Sequence, residues 1–171
     1  MWTPARGEWL FHATRASCRR DINARGLVPR ALSDFGPGGP PHSRLAPAVW
    51  VSEKVTETLA HIKSPHTIHR HVENKLCTWA TWHKVIFYAF RKTKYGFTRR
   101  PMPPTYLNSG PIFETVQPDY QLSVDLSESG DTISKNFADW VSSFEAQSES
   151  DSSDSSDDEQ SEPEDSGCII A

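Results

Sequence analysis

The chain has 171 residues, 36% of them hydrophobic, three cysteines and a net charge of −4. That length fits one domain plus a tail, no run of about 18 apolar residues is present to cross a membrane, and the first residues lack the charged-then-apolar pattern of a secretory leader. Cys18, Cys77 and Cys168 are odd in number and scattered; they form neither a disulfide framework nor a zinc spacing, which points to a reducing, intracellular setting, cytoplasmic or nuclear.

The charge is divided along the chain. Residues 1–146 hold all 18 Lys and Arg against 13 Asp and Glu, net +5, whereas 147–171 hold nine acids and no Lys or Arg, net −9. A mildly basic body suits a phosphate-bearing ligand without demanding one.

In chain order, Trp9-Leu10-Phe11 reads as a short buried strand, with His12 and Thr14 on one face at its end. Ser17 is placed to cap a helix through Ile22, and Gly26 to end it before Leu27-Val28-Pro29 leaves extended. Residues 30–46 are rich in Gly, Pro and Ser and read as a loop, long enough to be functional or disordered. Val49 to Ser52 alternates as a strand, with Trp50 and Ser52 on one side. Glu53 to Ile62 follows as an amphipathic helix carrying Val55, Leu59 and Ile62. His66, His69 and His71 lie close together. Neutral imidazoles can hold zinc, but no four-ligand pattern is complete, so the reading is a pH-sensitive surface loop or an RNA-phosphate contact.

Val85 to Phe90 is the strongest β run and should be a central strand. Arg91 to Arg100 then places five cations around Tyr95 and Phe97. That mixture suits a nucleotide or nucleic-acid surface, or a solvated hairpin. Two strands joined at Pro118-Asp119 are expected over 109–126. Glu114 is the only charge between Ile112 and Val116, and an unpaired buried carboxylate is costly, so it either faces a pocket, the favoured reading, or sits on an exposed strand face. Ile133, Phe137, Trp140, Val141 and Phe144 form one face of a last helix. From Gln147 onward the chain is too polar to offset ordering entropy and should be disordered; its serines followed by acids suit acid-directed kinases. Cys168-Ile169-Ile170-Ala171 fits a prenylation box, which implies reversible membrane attachment through Cys168, opposed by the acidic residues upstream.

The ordered set of apolar-aromatic-His-x-Thr (Trp9 to Thr14), helix, Gly26-Leu27, and a strand ending in an aromatic and Ser (Pro47 to Glu53) resembles the ADP-ribosyltransferase-like superfamily. Poly-ADP-ribose polymerases, diphtheria-type toxins and RNA 2′-phosphotransferases belong to it. The resemblance covers the first half well and the rest loosely. It implies an α+β domain over residues 1–146, with a split antiparallel β-sheet and short flanking helices, followed by a disordered acidic tail over 147–171. It implies NAD as the cofactor and a glycosyltransferase chemistry: transfer of ADP-ribose to a protein or nucleic-acid acceptor, or the related NAD-consuming RNA 2′-phosphate transfer. On the same resemblance His12 and Glu114 are catalytic, and His12, Thr14, Arg15, Trp50 and Ser52 bind NAD. His12 would hold the adenosine-side ribose, Thr14 or Arg15 the carboxamide or a phosphate, Trp50 would stack on nicotinamide, and Ser52 would order the neighbouring ribose. Two departures stand out. Trp50 occupies a place where the family usually has Tyr, and Ile112 stands where an arginine-modifying enzyme has Glu or Gln two before the catalytic Glu. The competing class is a non-catalytic module that binds nucleotide or nucleic acid through Arg91 to Arg100 under an acidic regulatory tail. An adaptor recruiting partners through its tail and last helix is a third.

Overall fold

The structure, a computed structural model, describes residues 8–30, 47–101 and 105–151, the last five as backbone only. Strand β1 (Trp9–Arg15) is apolar on both sides and lies at the middle of a five-stranded antiparallel sheet. The order is β4 (Ser109–Ile112), β2 (Val49–Ser52), β1, β3 (Lys84–Arg91), β5 (Tyr120–Asp125). The class is therefore α+β, as the sequence predicts.

Alternation along β1 feeds two cores, because successive side chains leave opposite faces. Trp9, Phe11 and Ala13 join Phe87, Val55 and Ile62 of α2 (Val55–Lys63), and the stripe of α4 (Gly130–Asp151). Leu10 joins Tyr88, Val49, Val51 and Ile112 with Ile22 of α1 (Arg19–Arg25). The α4 stripe is the one legible in the sequence: Ile133, Phe137, Trp140, Val141 and Phe144 are all buried. Phe144 meets Trp9 at 4.5 Å and Tyr120 at 4.7 Å between ring centroids. Burying each such side chain contributes about 1.5–3 kcal/mol. Ser129 caps the helix by accepting the Thr132 N–H.

The register is uneven. β1 pairs with β3 at seven positions, from Trp9↔Arg91 to Arg15↔Val85, and β3 with β5 at six. β2 and β4 pair at four. Between β1 and β2 a single pair, Phe11↔Ser52, joins the three-stranded part of the sheet to the two-stranded part.

Several expectations are corrected. Ser17 caps nothing: α1 follows a 3-10 turn over Ala16–Cys18 with Cys18 as its N-cap, and the Ser17 hydroxyl donates instead to the Leu76 carbonyl. Gly26 does end α1, at φ +78°, where a Cβ would lie 2.5 Å from the Val116 carbonyl oxygen. The strands expected to be joined at Pro118-Asp119 lie at opposite edges of the sheet. Strand β4 stops at Ile112, and the connecting segment is held by the Leu27↔Val116 bridge with Val116 buried. The histidine-rich segment is a helix, α3 (Pro65–Glu73), not a loop. Ser64 accepts the Thr67 N–H, and Pro65 at the first helical position needs no partner for a missing N–H. Helix α4 runs on to Asp151, past the boundary expected at residue 146. The expected loop over 31–46, the acidic run beyond Asp151 and the Cys168 box lie outside the described residues. No helix among those described is long and apolar enough to cross a membrane.

Candidate functional site

The seam between β1 and β2 opens toward the C-terminal end of β1, where no further backbone pair follows Phe11↔Ser52. His12 lies in that gap. Its Nδ1 is 2.7 Å from the Trp50 carbonyl oxygen, and a carbonyl can only accept, so Nδ1 carries the proton and Nε2 presents a lone pair. Burial pushes the imidazole below its ordinary value, and the Trp50 bond opposes that only in part. His12 is thus a neutral, orientationally fixed acceptor, the form suited to receiving a hydroxyl hydrogen bond. Thr14 follows two residues on, on the same face, 9% exposed.

On β2, Val49 and Val51 face the α1-side core, and Trp50 and Ser52 take the other side, as the alternation predicts. Trp50 is half-buried at the seam. The Ser52 hydroxyl is committed. It donates to Glu57 Oε2 at 2.7 Å and accepts the Lys54 N–H at 3.0 Å. Glu57 also receives the Asn108 backbone N–H and side-chain amide and the Ser109 hydroxyl. Burial alone would raise the Glu57 pKa, but these donors outweigh it and lower it. They fasten β2, α2 and β4 into one block.

Arg15 is engaged inside the fold. Fully buried, it donates through Nε to His71 Nδ1 at 3.0 Å and through its two terminal nitrogens to the Trp82 and Ile62 carbonyls at 2.6 and 2.8 Å. It clamps the end of α2, α3 and the loop before β3 against β1. His71, on α3, is pushed down to about 3, by burial first and then by the Arg15 and Arg70 charges. Accepting at Nδ1, it keeps its proton on Nε2.

Glu114 is exposed on the bend after β4 and does not face a buried pocket. The strand ends at Ile112, and Phe113 turns outward at 53% exposure. It follows the end of β4 at which Ile112 pairs with Val49, the first residue of β2, so β2 lies between β4 and β1. His12 and Thr14 thus share the Tyr88 face of β1, the Trp50 side chain leaves β2 on the other face while its carbonyl holds His12, and Glu114 stands on the exposed bend beyond β4. Arg15 and Ser52 are held as supports.

Four of the five cations of the stretch 91–100 are engaged within the fold. Lys92 and Arg99 both bind the buried carboxylate of Glu53, Lys94 bonds Asp119 at 2.7 Å, and the Arg91 guanidinium lies 5.1 Å over the Trp9 ring. Glu53 is held below the usual carboxylate range because these ionic hydrogen bonds exceed the cost of its burial. The stretch is a strap across the sheet edge, where the Arg100 N–H donates to the Ser109 carbonyl. His66, His69 and His71 form no metal site: no group of three His, Cys, Asp or Glu among the described residues is arranged to hold an ion.

Sequence reasoning missed Glu53, Glu57 and Tyr88. Glu53 and Glu57 directly follow the Ser52 motif, and two acids opening an apolar helix stripe were a readable signal. Tyr88 is the β3 partner of His12. Its hydroxyl is buried without a partner, and burial pushes its pKa up. It borders a cleft of about 170 Å³ between α1 and residues 117–121. No family model, curated protein or solved structure matches the chain.

Proposed function

We propose that this protein is an NAD-dependent transferase of the ADP-ribosyltransferase-like type, moving ADP-ribose to a protein or nucleic-acid acceptor or carrying out the related NAD-consuming RNA 2′-phosphate transfer. The observation that carries the reading is the seam: a sheet joined at one β1–β2 pair, with neutral His12 anchored across the gap on the Trp50 carbonyl. A split sheet is what the resemblance implies, and the gap falls at the motif residues that suggested it.

NAD supplies a glycosidic bond that breaks with nicotinamide as the leaving group and positive charge developing on the sugar. The chain's residues meet that need in distinct ways. His12 Nε2 accepts a ribose hydroxyl and fixes the sugar. The Trp50 carbonyl keeps the imidazole in that orientation. The Glu114 carboxylate stabilises the developing charge and orders the attacking group. Arg15 and Ser52 keep this geometry by holding α2, α3 and β4 in place.

The test is nicotinamide release from NAD by the full chain, with protein and RNA acceptors supplied. Glu114→Gln and His12→Ala should each lower the rate at least about a hundredfold, with circular dichroism unchanged. No release from the wild-type chain with any acceptor overturns the proposal.

A further inference from the structure

Five of the seven histidines fall between residues 61 and 84, together with Lys63, Arg70, Lys75 and Lys84, against one acid, Glu73. They lie on the last turn of α2, on α3, on the loop leading to β3 and at the first residue of β3. Unlike Lys92, Lys94 and Arg99 of the strap, Lys63, Lys75 and His66 have no carboxylate partner among the described residues.

Two features of this lobe run against folding economy. Trp79 is 61% exposed, although tryptophan normally buries most of its surface. Its ring lies 5.9 Å from that of His69, tilted by 54°. Lys75 has φ +61°, the left-handed region that disfavours a side chain. It occupies the closing position of α3: its N–H meets the Val72 carbonyl and the Leu76 N–H meets the His71 carbonyl, the helix ending at which glycine is usual. A lysine there holds a cation at a place where glycine would be more stable, and strain kept in this way marks a used position.

We propose that this lobe binds a single-stranded polynucleotide, with Trp79 and His69 stacking a base and Lys63, His66 and Lys75 meeting the phosphates on either side of α3. Aromatic faces interleaved with cations are the combination single-strand binders use. Residues 147–171, the acidic alternative, contain no aromatic residue and would gain nothing from Trp79. Glu73, which pairs with His69 at 3.2 Å, is the one local competitor for phosphate. Binding at this surface requires no NAD, so the proposal holds or fails independently of turnover.

The experiment is fluorescence anisotropy of a labelled, unstructured 12-nucleotide RNA with the full chain at 50 and 200 mM salt. Wild type should bind at 50 mM and weaken as salt rises. Trp79→Ala should weaken binding about tenfold. Lys75→Gly should weaken it severalfold and reduce the log–log salt slope by about 0.7, while raising the thermal unfolding midpoint by relieving the positive φ. Lys94→Ala, in the strap, should leave binding unchanged. The opposite movement of stability and binding in Lys75→Gly is what a merely structural lysine would not produce. Absence of wild-type binding at 50 mM salt overturns the proposal, and so does Trp79→Ala or Lys75→Gly binding like wild type.

Discussion

Strand β1 has two neighbours and treats them differently. Toward β3 it runs a ladder of seven pairs, with Leu10, Phe11, Phe87 and Phe90 sealed on both faces. Toward β2 the ladder stops after one pair, and the Trp50 carbonyl is satisfied by an imidazole instead of a strand N–H. One edge of the strand therefore carries stability and the other carries the polar groups of the proposed site. Placing the site at the weak seam means that its side chains can be tuned without unmaking the core.

That contrast can be broken from either side. The largest stability effect belongs to the tight side: Phe87, fully buried and 4.7 Å from Phe137, should cost about 3–5 kcal/mol when truncated to Ala, read as a shift in the urea midpoint. Arg15→Met should cost about 3 kcal/mol, because two carbonyls and the His71 nitrogen lose their donor in a dry setting. If Arg15 held a ligand phosphate instead, the variant would keep its midpoint and lose only ligand affinity. His12→Ala should cost only about 1 kcal/mol, one hydrogen bond to Trp50, while removing turnover. A loss as large as that of Phe87→Ala would erase the distinction between the two edges.

A further effect concerns acid. His71 has an ordinary value near 6.5 and is held near 3 in the fold. Between those values the unfolded chain binds a proton that the folded chain refuses. The stability contributed by neutral His71 is therefore complete above pH 6.5 and drains away as pH falls toward 3. His71→Gln keeps an acceptor for Arg15 and removes the titration. Its urea midpoint should decline less steeply than wild type from pH 6.5 to 4.5, and an identical decline would refute the assignment.

Much of this was legible in the sequence where periodicity was strong. The β1 alternation, the Trp50/Ser52 side of β2, the buried run of β3 and the α4 stripe all follow from apolar spacing. The expected pairing of the last two strands did not follow, since a proline turn is local whereas partner choice depends on the whole sheet. Helix α3 hid because its inward face is sparse, with only Thr67 buried, although Ser64-Pro65 was a usable start signal. At the candidate site, the position of His12 could be read, but its anchor could not. The fates of Arg15 and of the 91–100 cations were also unreadable, because charge in a sequence does not reveal which carbonyl or carboxylate lies opposite it.

The strap has a consequence for self-association. Gly110 lies so near the Thr98 carbonyl that an added Cβ would be 2.2 Å from it, and with the Arg100 bond to Ser109 this closes the outer side of β4. Pro111 removes one more N–H from that edge. Among the described residues, the outer side of β5 is left as the open edge of the sheet. A sheet open on one edge can accept one more copy, β5 against β5, and then has no edge left to offer. Strand addition in this protein would end at a closed pair and not propagate into a fibre.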